Sequence, residues 1–370
     1  MKKRIPLATP TMHSEELGFV QEAFDKNWIA PLGFNCDNFE TELSDYLGQG
    51  QYALSLSAGT AALHLAVKLA GVKRGDIVLC SDMTFAATVN PVSYEGGVQV
   101  FIDSERETWN MDPVALERAF EKYPEAKVVM LAHLYGTPAK MDEIVEICRA
   151  HNAILIEDAA EALSATYHGR QCGTFGQYNI VSFNGNKIIT TSGGGMLLTG
   201  DKASRDRAFK LATQAREPAP WYQHEEIGYN YRMSNVVAGI GRGQLLHLEE
   251  HREKKTAIYR RYEEAFKGLP LTMNPYLADT VPNFWLSCAL FEEGHDPMAV
   301  MQALSEHNVE SRPIWKPMHM QPVFAGHDFI TAGEQAVNED IFARGLCLPS
   351  DIKMTGAEQD YVIDIIKSAL

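Results

Sequence analysis

The chain has 370 residues, 45% of them hydrophobic, and a formal net charge of −15. That length and apolar content suit two packed domains and exclude a disordered chain, and the acidic balance provides no basic patch for nucleic acid. A small anionic ligand is still permitted, because helix N-termini and single arginines hold phosphate whatever the net charge.

The first residues, Met1-Lys2-Lys3-Arg4-Ile5-Pro6, are basic but lead to Pro10, His13, Glu15 and Glu16 rather than to an apolar stretch. No run of about 18 apolar residues occurs further on, so neither secretion nor membrane spanning is expected. Ser14 to Trp28 predicts an amphipathic helix opened by a serine and two acids, and Phe39 to Leu47 a second. Strand Tyr52 to Leu56 then turns through Ser57-Ala58-Gly59-Thr60 into a helix from Ala61 to Ala70, with Gly71 placed to cap it. Such a turn leaves backbone N–H groups at a helix N-terminus, an anion site by construction. Seen alone, it is better read as an ordinary strand-to-helix turn.

Strands at Ile77–Cys80, Val98–Ile102, Val128–Leu131 and Ala153–Ile156 are interleaved with helices at Pro113–Tyr123 and Met141–His151. This alternation predicts βαβ units and a largely parallel sheet whose right-handed crossovers align the carboxyl ends on one edge. Ser57 to Thr60, Phe85, Asp158 and Ser182 are expected to converge there. Beyond lie strands at Tyr178–Val181 and Met196–Thr199, a charged helix at Lys202–Gln214, a loop at Glu217–Trp221 and one long or broken helix from Asn235 to Phe266. A boundary near Leu246 divides a large α/β domain, residues 1–246, from a smaller C-terminal α+β domain, residues 247–370. The latter carries a strand at Leu286–Phe291 and helices at Met298–Ser305 and Glu358–Leu370. No metal is expected. His247 and His251 have the spacing of a zinc helix, but Leu248 stands where that motif needs glutamate, and the six scattered cysteines form no thiolate pair. Their spread suits reduced thiols and a cytoplasmic protein.

Two positions carry chemistry. In Asn184-Gly185-Asn186-Lys187-Ile188, just after a buried strand, a lysine stands among small polar residues ahead of Gly193-Gly194-Gly195. Neither a P-loop nor a dinucleotide fingerprint has this order, which leaves a desolvated amine for Schiff-base chemistry. Asp158 closes the strand Ala153–Ile156 at its carboxyl end, where α/β sheets bind ligands. An acid there and a Schiff-base lysine downstream point to pyridoxal phosphate (PLP), whose pyridine nitrogen takes an acidic partner. With PLP implied, the turn at Gly59 and Thr60 is read as a phosphate cup, completed by the Thr60 and Ser182 hydroxyls. Lys187 would then also move the proton between substrate carbon and cofactor.

These segments stand in one order with Trp28-Ile29-Ala30-Pro31-Leu32-Gly33, Thr60-Ala61-Ala62-Leu63-His64-Leu65, His133-Leu134-Tyr135-Gly136 and Gly228-Tyr229-Asn230-Tyr231-Arg232-Met233-Ser234-Asn235. Together they resemble the DegT-type nucleotide-sugar aminotransferases of PLP fold type I. Ser182–Gly195 and Glu310–His319 are similar to those of the UDP-N-acetylbacillosamine pathway. The resemblance implies a large domain with a mostly parallel, seven-stranded sheet flanked by helices. It also implies a homodimer with shared active sites, in which Asn230 of a second subunit reaches the phosphate, and Phe85 stacked on the cofactor. Glu161 stands where the wider family has a glutamine beside the cofactor's phenolic oxygen, and a carboxylate there has to be protonated or paired. Trp315, Lys316 and His319 look like sugar-nucleotide contacts, with a surface loop as the alternative. Arg232 is a candidate for the amino donor's carboxylate or for a diphosphate. The implied reaction moves an amino group from L-glutamate to C4 of a UDP-linked 4-keto-6-deoxy-N-acetylhexosamine. A sugar dehydratase is disfavoured, since those relatives replace the lysine with histidine. Other readings are a different nucleotide 4-ketosugar as acceptor, or a non-catalytic sugar-nucleotide sensor.

Overall fold

The computed structural model describes residues 4–370, so the start Met1-Lys2-Lys3 lies outside it. In chain order come helices α1 (Glu15–Asp25) and α2 (Phe34–Leu47), strand β1 (Tyr52–Leu56), α3 (Gly59–Leu69), β2 (Ile77–Ser81), α4 (Ala86–Tyr94), β3 (Val98–Ile102), α5 (Pro113–Lys122), β4 (Val128–Ala132), α6 (Met141–Ala150) and β5 (Ile154–Asp158). Strands Tyr178–Ser182 and Gly195–Thr199 follow. Across the large sheet the order is β1, Gly195–Thr199, Tyr178–Ser182, β5, β4, β2, β3 and Phe329–Ile330. Gly195–Thr199 pairs antiparallel with both neighbours while the remaining pairs are parallel, so the other strands share one direction.

The central strands are apolar without interruption because both of their faces are covered, and their side chains alternate between two cores. Val78, Cys80, Val128 and Met130 point into a core shared with Leu63, Val67, Val89 and Leu211. Leu79, Val129 and Leu131 point the other way, into a core with Leu116, Phe120, Ile144 and Ile147. A third cluster packs Phe39 and Leu43 of α2 against Phe183, Ile188 and Ile189. It anchors both sides of the segment that carries Lys187.

The sheet has eight strands where seven are expected, because Phe329–Ile330 returns from the C-terminal third and pairs with β3. Two residues are too short to show a period. The second helix starts at Phe34, five residues earlier than predicted, with extended Gly33 ahead of it. The helix after Lys202 stops at Ala212, since Gln214 and Ala215 take left-handed backbone. Helix α4 had no amphipathic signature.

The predicted long helix breaks between Asn235–Leu245 and Leu248–Ala265, and we propose the domain boundary there. Beyond it, Leu271–Met273, Ser287–Phe291, Gly345–Leu348 and Arg312–Pro313 form an antiparallel sheet in that order. Its core includes Tyr259, Tyr262, Phe291, Leu304 and Ile366, and it takes in Ile5 from the start of the described chain. Among the described residues no helix is long and apolar enough to cross a membrane.

Candidate active site

At the carboxyl edge of the large sheet, where β1, β2, β4, β5 and Tyr178–Ser182 end, lies a cavity of about 300 Å³. Gly59, Thr60, Phe85, Thr88, Asp158, Glu161, Ser182, Lys187, Trp285 and Trp315 all line it. The structure thus brings together eight of the residues singled out in the sequence.

One end is an anion cradle. Helix α3 begins at Gly59 after an Ala58 that offers no side-chain cap, so its first N–H groups are left to the cavity. A Cβ on Gly59 would sit 3.1 Å from Cβ and 3.3 Å from Oγ of Ser182, and one on Gly195 would sit 2.5 Å from the Gly59 nitrogen. Glycine at both positions lets strand and helix end close enough for hydroxyl and N–H groups to face one ligand.

At the other end Asp158 is buried. Its Oδ2 accepts from the Thr88 hydroxyl at 2.7 Å and its Oδ1 from the Ala160 N–H at 3.0 Å. Burial raises the Asp158 pKa, opposed by these two donors and by Lys187. A protonated ring nitrogen is the partner such a carboxylate suits.

Lys187 lies in the loop that joins the antiparallel strands Tyr178–Ser182 and Gly195–Thr199. The loop is tied to itself by Phe183 N–H to Gly194 C=O and Thr191 N–H to Phe183 C=O, each 2.9 Å. Carbonyls on either side of the lysine are also held: Asn186 C=O accepts from the Trp285 indole at 2.6 Å, and Ile188 C=O from His251 Nδ1 at 2.7 Å. The lysine Nζ stands 4.2 Å from the Trp285 ring centroid and 3.3 Å from Glu161 Oε1. Glu161 Oε2 accepts the Tyr135 N–H at 2.8 Å. Burial pushes the Glu161 carboxyl up to about 7 against the lowering effect of Lys187. The carboxylate that the sequence made puzzling is paired with the lysine itself.

Four of the singled-out residues lie outside this cavity, one of which, Asn230, was expected to serve a second subunit's site. Arg232 is buried with its Nη1 donating to Glu40 Oε1 and to Ser55 C=O, both at 2.8 Å. A buried guanidinium needs a fixed anion, and Glu40 supplies one; Arg232 lines the cleft that carries Asn230 rather than this cavity. His319 is likewise committed, with its N–H and Nδ1 each 2.7 Å from buried Asp82 and its ring stacked on Phe329. Lys316 is half-buried outside the lining, its carbonyl accepting from Gln321. Asn230 is exposed in a separate cleft with Pro31, Leu32 and Arg216.

Three functional neighbours went unassigned in the sequence. Thr88 stands one helical turn after Phe85, a spacing that could have marked it. Tyr135, in the His133–Gly136 motif, also accepts the Trp315 N–H at 3.0 Å. Trp285 had no sequence signal. At the cavity wall His133 Nε2 lies 2.8 Å from Glu157 Oε1, and Cys172 sits beside them. Glu157 also accepts N–H groups of Gly173, Phe175 and Gly176. A carboxylate with that many donors is accounted for without an ion.

The sequence profile of the DegT/DnrJ/EryC1/StrS aminotransferase family matches residues 10–367. The chain belongs to this family. It is similar to EpsN of Bacillus subtilis (strain 168), at 49% identity over 99% of this chain and 96% of that one. It is 33% identical to the GDP-perosamine synthase of Escherichia coli O157:H7, covering 98% of each. Among solved structures it resembles the aminotransferase TlmJ from Streptoalloteichus hindustanus, with TM-score 0.91, 28% identity, and 99% of this chain and 98% of that chain covered. The fold is that of PLP fold type I aminotransferases, and the chain is a PLP-dependent sugar aminotransferase. The cavity fits that cofactor at both ends: the glycine-lined cradle for a phosphate and buried Asp158 for the ring nitrogen.

Proposed function

We propose that this sugar aminotransferase moves an amino group from L-glutamate to the C4 carbonyl of a UDP-linked 4-keto-6-deoxy-N-acetylhexosamine, as a cytoplasmic homodimer. The convergence of Lys187, Asp158 and the α3 cradle in one cavity carries the amino-transfer reading. The UDP-linked acceptor is supported by the resemblance of Ser182–Gly195 and Glu310–His319. Similarity to a GDP-perosamine synthase favours a second reading, a GDP-linked 4-ketosugar.

Bound PLP supplies an electron sink and holds the amino group between the two half-reactions. The groups that would hold it are Asp158 at the ring nitrogen, Phe85 at the ring face, and the N–H groups of Gly59 and Thr60 with the Thr60 and Ser182 hydroxyls at the phosphate. Asp158 keeps its charge directed into the cavity because Thr88 and Ala160 fix both of its oxygens. Lys187 Nζ is the group that takes a proton from the substrate carbon and returns it. Trp285 covers one side of that nitrogen and keeps bulk water from it. Trp315, held by Tyr135 and 5.4 Å from the Phe85 ring, offers an apolar wall to a deoxysugar.

The dimer reading draws support from large apolar side chains left exposed at Trp28, Ile29, Leu32, Trp221, Tyr222 and Ile227. Leu32 among them lines the cleft that carries Asn230. The deciding experiment supplies purified protein with PLP, L-glutamate and UDP-, GDP- or dTDP-linked 4-keto-6-deoxyhexoses, and identifies products by mass and NMR. The UDP-N-acetyl sugar should be used at least tenfold better than a dTDP sugar lacking the acetamido group, since unpaired buried partners cost about 1–3 kcal/mol. Equal use would defeat the UDP assignment, and preference for the GDP sugar would establish the second reading.

A further inference from the structure

Glu161 has a fixed position and no freedom to turn away. One of its oxygens is held by the Tyr135 N–H and the other stands 3.3 Å from Lys187 Nζ. Tyr135 is itself immobilised, with left-handed backbone at φ 52 and a phenol that accepts from Trp315. The lysine's other side is covered by Trp285, whose N–H donates to Asn283 Oδ1 at 2.9 Å. The Asn283 amide in turn donates to the carbonyls of Glu161 and Leu163. Only 11% of the lysine side chain and 8% of the glutamate side chain are exposed. A glutamine of the same size could accept a hydrogen bond from the ammonium; it could not take its proton.

We propose that Glu161 and Lys187 are a proton-exchanging pair, in which the glutamate takes the ammonium proton and frees the lysine amine to attack a carbonyl carbon. The inference rests on the reading of Lys187 as the Schiff-base residue. An Nζ–H bond breaks, an Oε1–H bond forms, and the electron pair stays on nitrogen. In the attack that follows, nitrogen bonds to the aldehyde carbon, and its two remaining hydrogens leave with the carbonyl oxygen as water. Burial favours the transfer, because it penalises a separated ammonium and carboxylate more than the neutral couple. Other titratable groups face the pair, and the negative charge among them raises the Glu161 carboxyl. Asp158 adds a second negative charge to the cavity, Tyr135 and Cys288 are buried and un-ionised, and the nearby His133 is engaged with Glu157. Since the proton moves within the pair, the free-amine fraction does not depend on pH while the pair holds one proton.

The test follows covalent capture rather than turnover. Cofactor-free wild type and Glu161→Gln are mixed with PLP across neutral pH, quenched with borohydride, and the labelled peptide is quantified. The cofactor's own titrations are common to both proteins and cancel in the ratio of rates. In wild type the capture rate should be level above about pH 7 and fall below it, where Glu161 gains a proton of its own. In Glu161→Gln the profile should lose both that level region and that break, because no carboxyl remains to hold the pair's proton. Matching pH profiles with the label on Lys187 would overturn the pair. A label on another lysine would defeat the Schiff-base reading of Lys187, and the pair with it.

Discussion

Lys187 is held from three directions: through the carbonyls on either side of it, by the Trp285 ring, and by Glu161. So many constraints on one long side chain reduce its conformational freedom before any ligand arrives, as orientation-dependent catalysis requires. Lys187→Ala should lower turnover by at least about 10² to 10⁴, the range general acid–base catalysis alone contributes. It should still bind PLP noncovalently, because the α3 cradle and Asp158 are untouched. Borohydride reduction followed by peptide mapping checks this, with label on Lys187 in the wild type and none in the variant. Gly59 is the other position without latitude. Gly59→Ala places a methyl group 3.1 Å from Ser182 Cβ, so strand and helix end must separate. Overpacking of this kind costs about 1–3 kcal/mol, and PLP affinity should drop by about tenfold or more in a fluorescence titration.

At the level of elements, Glu40 on α2 joins three pieces of chain. It accepts the N–H and hydroxyl of Ser55 on β1, and it pairs with Arg232 and Arg205. Removing one member of a buried pair strands the other, at a cost of about 3–5 kcal/mol. Arg232→Met should therefore lower the thermal midpoint well before it alters substrate selectivity, and paired measurements of Tm and KM separate the two effects. The same pair sets a pH dependence. Burial opposes ionisation of Glu40, but Arg232 and the Ser55 donors outweigh it and hold the carboxyl below the usual glutamate value. A lowered folded-state pKa gives stability that is present above the unfolded value and is lost as pH falls through the folded one. Wild type should thus lose stability below about pH 4.3, the ordinary glutamate value, and Glu40→Gln should show a smaller loss over that window in urea titrations at successive pH values.

For the whole molecule, the described chain forms the cavity from its own residues, while Asn230 faces a different cleft. If Asn230 completes the phosphate site of a second subunit, dilution below the dimer dissociation constant should release PLP and abolish activity together. Asn230→Ala should then weaken PLP retention without disturbing the monomer fold. Analytical ultracentrifugation alongside cofactor absorbance measures both, and a fully active monomer would rule the shared site out.

The sequence by itself determined the alternation of strands and helices, the parallel core, and the edge at which Asp158 and Lys187 come together in one cavity. Each is a local property: continuous apolar runs such as β4, an acid at a strand's end, and a lysine ahead of three glycines act within a short window of chain. Only the tertiary structure decided which charge meets which. Arg232 and Glu40 are 192 residues apart, and nothing near Arg232 in the sequence marks the buried partner that holds it. The same holds for His319 and Asp82, 237 residues away. Trp285 reached Lys187, and Phe329–Ile330 reached β3, only because the C-terminal chain folds back over the sheet. Spacing and composition record what a residue can do chemically, but burial and the geometry of chain reversal select its partner, and through that choice its function.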